Sequence, residues 1–173
     1  MGAEVFDRIT TRLATGEEEG LSTGPARAST TVQHGILVVN LAPSAVEGAV
    51  RALKAEFGFD IFLDVTAVDW PARDPRFEVV WHFYSTEHKV RVRVKAWVAE
   101  ASPVVASLTP LYGSAAFMER ECHDMYGIRF EGNADLRPIL LYEGFEGHPL
   151  RKDYPKEREQ PLVPYREGFE ERG

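Results

Sequence analysis

The sequence predicts an α+β fold of two layers, helices packed on a mixed and mostly antiparallel sheet, with an extended C-terminal arm. Three observations carry this. Short apolar runs with a period of two follow one another between residues 61 and 98, separated by turn-length gaps. Segments on either side of those runs repeat their apolar residues at helical spacing. Beyond Asp153 the chain is charged and punctuated by Pro155, Pro161 and Pro164. At 173 residues, 44% of them hydrophobic, the chain can bury one core. The expected division is an N-terminal helix and flexible linker over 1–31, the α+β domain over 32–150 and a charged arm over 151–173.

Each element has its own signal. Val5, Ile9 and Leu13 stand at helical spacing, so residues 1–14 predict a short amphipathic helix, either docked elsewhere or a frayed terminus. Thr15 to Thr31, rich in Glu, Gly, Ser and Thr around Pro25, reads as a flexible linker. Ile36 to Leu41, after Gly35, reads as a strand. Ser44 precedes Glu47 by three residues, a capping box, and Val46, Val50, Leu53 and Phe57 continue that helix to Gly58. Three strands follow, Ile61 to Val68, Phe77 to Tyr84 and Val90 to Val98, the last two joined through Ser85 to His88. In the third, Val90, Val92, Val94, Ala96 and Val98 alternate with Arg91, Arg93, Lys95 and Trp97, one dry face against one polar face. Ser102 and Pro103 open a second helical region through Val104, Val105 and Leu108, which Pro110 and Gly113 interrupt. Ser114 caps a further helix from Ala115 to Tyr126, ended by Gly127. Irregular chain follows, with apolar pieces at Ile128 to Phe130 and Leu136 to Tyr142.

Charge and composition exclude several functions. A net charge of −7 argues against nucleic acid and against direct adhesion to anionic lipid, both of which need a basic face. Cys122 is the only cysteine. It cannot form an internal disulfide, and it cannot hold an iron–sulfur cluster, which normally takes four thiolates. No stretch approaches the ~20 apolar residues of a membrane span, so a soluble intracellular chain is expected, attached to a membrane only through a partner. There is no Gly-x-Gly-x-x-Gly turn, no P-loop, no Cys-x-x-Cys pair and no Gly-x-Ser-x-Gly elbow.

Two polar constellations stand out. In Glu119-Arg120-Glu121-Cys122-His123-Asp124, Glu119 and His123 share a helix face. As metal ligands they would need a third from His82 or His148, since even a catalytic zinc takes three protein ligands; paired helix charges are the alternative. In Gly147-His148-Pro149-Leu150-Arg151-Lys152-Asp153-Tyr154-Pro155, two prolines suppress helix, and the charged segment suits docking into a groove or is a solvated tail. The row Arg91, Arg93 and Lys95 faces either an acidic partner or water.

These segments resemble the signature of the 30-kDa subunit family of NADH:quinone oxidoreductase, respiratory complex I. The matching pieces are 119–128, Asp-Leu-Arg-Pro-Ile-Leu-Leu at 135–141 and 147–155, with similarity also at Phe62 to Asp69, Arg76 to Val80 and Arg91 to Lys95. The family usually has Gly-His-Pro where this chain has Gly132-Asn133-Ala134, and often Trp where Phe117 and Met118 stand.

The resemblance implies a non-catalytic structural subunit in the peripheral arm of a proton-translocating NADH:quinone oxidoreductase. It would sit on the cytoplasmic side of the bacterial inner membrane, beside the 49-kDa (D) subunit near the quinone-binding region. FMN and iron–sulfur clusters would belong to partner subunits, with no catalytic, cofactor or metal residue here. Glu119, Arg120, Glu121, Asp124 and Gly127 would be interface and turn-forming residues, as would Asp135, Leu136 and Arg137, and His148, Pro149, Arg151, Lys152 and Asp153. Glu119, Glu121 and Asp124 would pair with Arg or Lys inside the domain or across to the 49-kDa subunit, and Arg151, Lys152 and Asp153 would fix the start of the arm. A membrane-bound hydrogenase or a ferredoxin-linked complex is the alternative host. A small metal-dependent hydrolase and a regulatory binding module are the rival readings.

Overall fold

The structure, a computed structural model, describes residues 2–14, 28–155 and 157. The linker reading for 15–27, and the arm reading for 156 and 158–173, fall outside these residues. The fold class is the predicted one. The elements run α1 (Gly2–Ala14), β1 (Ser29–Gln33), β2 (Ile36–Leu41), α2 (Val46–Phe57), β3 (Ile61–Asp69), β4 (Phe77–Ser85), β5 (Val90–Val98), β6 (Val104–Ala106), α3 (Ala115–Tyr126) and β7 (Arg129–Glu131).

Five strands form one sheet in the order β1-β2-β5-β4-β3, and β6 pairs with β7 in a two-stranded sheet. β2 lies parallel to β5; the other three pairings of the large sheet are antiparallel. The register puts Leu37 opposite Val92, Val92 opposite Phe83 and Phe83 opposite Phe62, so one apolar row crosses four strands. Because side chains alternate along a strand, the whole dry face is then fixed. That face forms one core with Val5, Phe6 and Ile9 of α1, Val50 and Leu53 of α2, and Ala115 and Cys122 of α3. Trp81, Phe59, Phe77 and Phe83 are among the largest side chains wholly inside it.

Several expectations are corrected. Ser44 lies inside a 3-10 turn, Pro43–Ala45, and α2 begins after Ala45 with no side-chain cap. Glu47 reaches forward to Arg51 instead of back to Ser44. Residues 104–106 form strand β6, not a helix: Arg129 donates its N–H to Pro103 O, Ser107 N–H binds Glu131 O, and the β-branched pair Val104 and Val105 suits the ladder. Ser29 to Thr31, expected as the end of the linker, belong to β1. α1 is neither frayed nor docked elsewhere. It lays Val5, Phe6 and Ile9 into the domain core, and Arg12 bridges to Glu56 of α2. Helix α3 does start after Ser114 but makes no side-chain cap bond there.

Replacing Phe83 with Ala removes a fully buried ring that touches Phe62 and Tyr112, and should cost about 3–5 kcal/mol in urea unfolding. Val32→Ala, at a position 60% exposed on the edge strand, should stay within about 0.5 kcal/mol. Equal costs would refute this placement of the core.

Candidate functional site

Helix α3 carries most of the polar residues the sequence singles out, and its neighbours show what they do. Glu119 is fully buried. Its carboxylate accepts the Leu108 N–H at 2.7 Å, the Ser107 hydroxyl at 2.7 Å and the Asn133 side-chain amide at 2.9 Å. It therefore ties the chain after β6 to the turn after β7. Burial pushes this carboxyl above its usual range, and the three donors only partly offset that. Asn133, at the position where the chain departs from the family pattern, is part of this link, and its Oδ1 also accepts the Asp135 N–H.

One turn further on, a single carboxylate oxygen of Asp124 accepts three successive backbone N–H groups, Ile139, Leu140 and Leu141, at 2.9–3.0 Å. Burial pushes this carboxyl up, but the three amides outweigh it and hold it below the usual range. Arg120 grips the same segment, donating to the carbonyls of Arg137 and Pro138 at 2.9 Å. Asp135 closes the turn by accepting the Arg137 N–H and a two-pronged contact from the Arg137 side chain. Leu136 packs, partly buried, against the core. Residues 133–141, which belong to no strand or helix, thus find most of their hydrogen bonds on α3 and in their own side chains, with the Asn133 N–H bonded to Phe130 O.

The third segment folds back over the end of α3. A helix leaves its last carbonyls without partners, and 148–151 supplies them. His148 Nδ1 donates to Asp124 O at 2.9 Å, Leu150 N–H to Met125 O at 3.2 Å and Arg151 Nε to Tyr126 O at 2.7 Å. A carbonyl only accepts, so the imidazole carries its proton on Nδ1. Gly127 turns the chain at φ +74°, and a Cβ there would lie 2.5 Å from both the Arg151 guanidinium and the His148 ring. Gly is required twice over, by backbone sign and by close approach. Pro149 lies, half-buried, between the capping residues.

The same segment is latched to the sheet. Asp69, the last residue of β3, and Arg76, just before β4, form a two-pronged ion pair at 2.7 and 2.8 Å, and both side chains are buried. The Lys152 N–H donates to the same Asp69 carboxylate at 2.7 Å. Arg76 also reaches Asp153 at 2.9 Å and Glu100 at 2.6 Å. The guanidinium groups of Arg76 and Arg151 lie 5.0 and 4.9 Å from the centre of the Phe77 ring.

Of the expected residues, then, Glu119, Arg120, Asp124, Asp135, Arg137, His148 and Arg151 form one connected network with Gly127. Glu119 and Asp124 bond to amides and a hydroxyl, not to Arg or Lys as expected. Glu119 and His123 diverge: His123 Nδ1 contacts Ile128 O at 2.9 Å. His82 lies on β4 opposite Arg93. Among the described residues no His, Cys, Asp and Glu group has metal-binding geometry. The side chains of Glu121 and Lys152 are exposed and make no bond to another described residue. Sequence reasoning missed Asp69, Arg76, Ser107 and Glu100. A charged residue closing an apolar strand, with an arginine seven positions on, was the available signal for the first two.

A model of the family described as respiratory-chain NADH dehydrogenase, 30 Kd subunit, matches residues 39–160. The chain is 46% identical over 134 residues to the C subunit of the NADH-quinone oxidoreductase of Agrobacterium fabrum, covering 76% of this chain and 66% of that protein. It spans just under two thirds of the length of that relative. Among solved structures it resembles a trypsin-resistant fragment of Nqo5, with a TM-score of 0.63 and 28% identity over 79% of this chain and all of that one. The same fold recurs in a chain of an archaeal membrane-bound sulfane sulfur reductase, with a TM-score of 0.73 and 24% identity, covering 90% of this chain and 86% of that one.

Arg76 first of all, with help from the Lys152 N–H and against the effect of burial, holds the Asp69 carboxyl below its ordinary range. The folded chain thus binds that proton less readily than the unfolded chain. The pair's contribution is full above about pH 4 and is lost as pH falls through the lower folded value. Asp69→Asn should cost on the order of 3–5 kcal/mol at neutral pH and flatten the acid limb of stability against pH. Urea unfolding across that range checks it; an unchanged acid limb would remove the pair from this account.

Proposed function

The chain belongs to the family of the 30 Kd subunit of the respiratory-chain NADH dehydrogenase, and from that membership we propose that it is a non-catalytic structural subunit of a proton-translocating NADH:quinone oxidoreductase. In this reading it sits in the peripheral arm on the cytoplasmic side of the bacterial membrane. It packs against the 49-kDa subunit near the quinone-binding region, and FMN and iron–sulfur clusters belong to its partners. The observation that carries the reading is the family match across 39–160, which spans the whole hydrogen-bonded network.

The chemistry of the network supports a scaffold. Glu119 and Asp69 are buried carboxylates with both oxygens taken up by protein donors, and Asp124 is a buried carboxylate with one oxygen taken up by three amides. Cys122 is buried, and burial pushes its thiol far above the usual range, which suits a core side chain and not a metal ligand or nucleophile. No helix among the described residues is long and apolar enough to cross a membrane, which fits attachment through partners. The network anchors residues 133–141 and 148–153 to the domain, and a preorganised irregular surface binds without a large ordering cost.

Glu121 and Lys152 point outward from this frame, as do Phe117 and Leu140, which are 63% and 62% exposed. They are the parts of the signature left for neighbours. The test is to tag the chain in its host, solubilise membranes gently and identify the assembly recovered. A large complex with flavin and iron–sulfur subunits and NADH:quinone activity is expected. A hydrogenase or ferredoxin-linked assembly would keep the scaffold role and change the host. A free monomer with stoichiometric metal would overturn the reading in favour of a hydrolase.

A further inference from the structure

The helices cover one face of the five-stranded sheet. We propose that the opposite face is a docking surface for another protein of the assembly, one whose matching surface is rich in carboxylates. The proposal rests on the subunit reading above and adds to it the face used and the chemistry of what meets that face.

Strand alternation places Arg91, Arg93, Lys95 and Trp97 of β5 on this face, opposite Tyr84, His82, Val80 and Glu78 of β4. Lys95 is matched within the chain by Glu78 at 2.8 Å. Arg91 and Arg93 are not: among the described residues neither has a carboxylate partner, and Arg93 Nε is buried with no hydrogen bond at all. Arg12, Arg51 and Arg76 are paired with Glu56, Glu47 and Asp69, while Arg8, Arg73 and Arg151 instead lie over aromatic rings. Two unmatched guanidinium groups side by side on one strand face, in a chain with 27 acidic and 20 basic residues, form a local positive patch on an acidic protein. Asp64 of β3 stands across from His82 in the strand register. Burial and then Arg93 push His82 below its ordinary value, so the face keeps its charge on the arginines.

The other end of the face has the composition of a binding surface. The Trp97 and Trp70 rings lie 6.5 Å apart, and the Arg73 guanidinium sits 4.5 Å from the Trp70 ring centre and 5.2 Å from that of Trp97. Trp70 and Val68 are 38% and 37% exposed. Hot spots at protein interfaces are enriched in tryptophan and arginine, whereas the solvated face of an antiparallel sheet is commonly polar. A second copy is the weaker fit, because a two-fold contact would turn the same unmatched arginines on themselves.

The experiment uses the full chain in its host, with Arg91→Glu and Arg93→Glu together, and Arg51→Glu on the outer side of α2 as the control. The double variant should be recovered in the membrane assembly at least about tenfold less than wild type, with the control unchanged. Urea midpoints of the purified chains show whether the variant still folds. Should it not, a photo-crosslinking residue at Val68 in the otherwise native chain decides: a crosslink to an acid-rich segment of a different protein supports the proposal. A crosslink only to a second copy or to lipid, or none, overturns it. Wild type and double variant recovered equally would overturn the docking face alone. Wild type found in no assembly would overturn the subunit reading, and this proposal with it.

Discussion

The buried pair of Asp69 and Arg76 is the constraint around which the rest of the chain is arranged. A carboxylate at the end of β3 with no exposed surface on its side chain must be matched by charge and by hydrogen bonds. Arg76 matches it with two donors from just before β4, and the backbone of Lys152 adds a third. The arginine has donors to spare, and they go to Glu100 after β5 and to Asp153. Those two partners are more than half exposed, so each adds little by itself. What they add is geometry: β3, β4, the end of β5 and the C-terminal segment meet at one guanidinium.

From that point the chain from 133 to 153 can dispense with regular structure. The Asp124 side chain takes up the amides of 139–141, and the His148 and Arg151 side chains with the Leu150 N–H take up the last carbonyls of α3. Buried side chains do the work that a ladder does in a strand. A surface anchored this way is held in place without being helical or extended, which suits the scaffold role proposed above.

Much of the fold was legible because it depends on local signals. The alternation in Val90 to Val98, the helix spacing in α2 and the glycines at 58 and 127 each act through a few neighbouring residues. Where long-range contacts decided the outcome, the reading failed. Val104 and Val105 became a strand because Arg129 to Glu131 lie alongside, more than twenty residues away in sequence. α1 packed inward because α2 presents Glu56 and an apolar face to it. At the site, the resemblance located the segments but not the partners. Glu119 and Asp124 looked like members of ion pairs, and their true partners are mostly amides, which no residue code announces. The link from Asp69 to Lys152 spans 83 positions, so only the folded chain displays it.

The signature segment is held by its own domain before any partner arrives. Amide hydrogen exchange on the isolated chain tests it most directly. The N–H groups of Ile139, Leu140, Leu141, Leu150 and Lys152 all lie outside regular structure, yet each is bonded to α3 or to Asp69. They should exchange slowly, with opening free energies approaching those of the β4 and β5 core. Exchange at the rate of an unstructured peptide would contradict it, and would mean that partners, not the domain, order this segment.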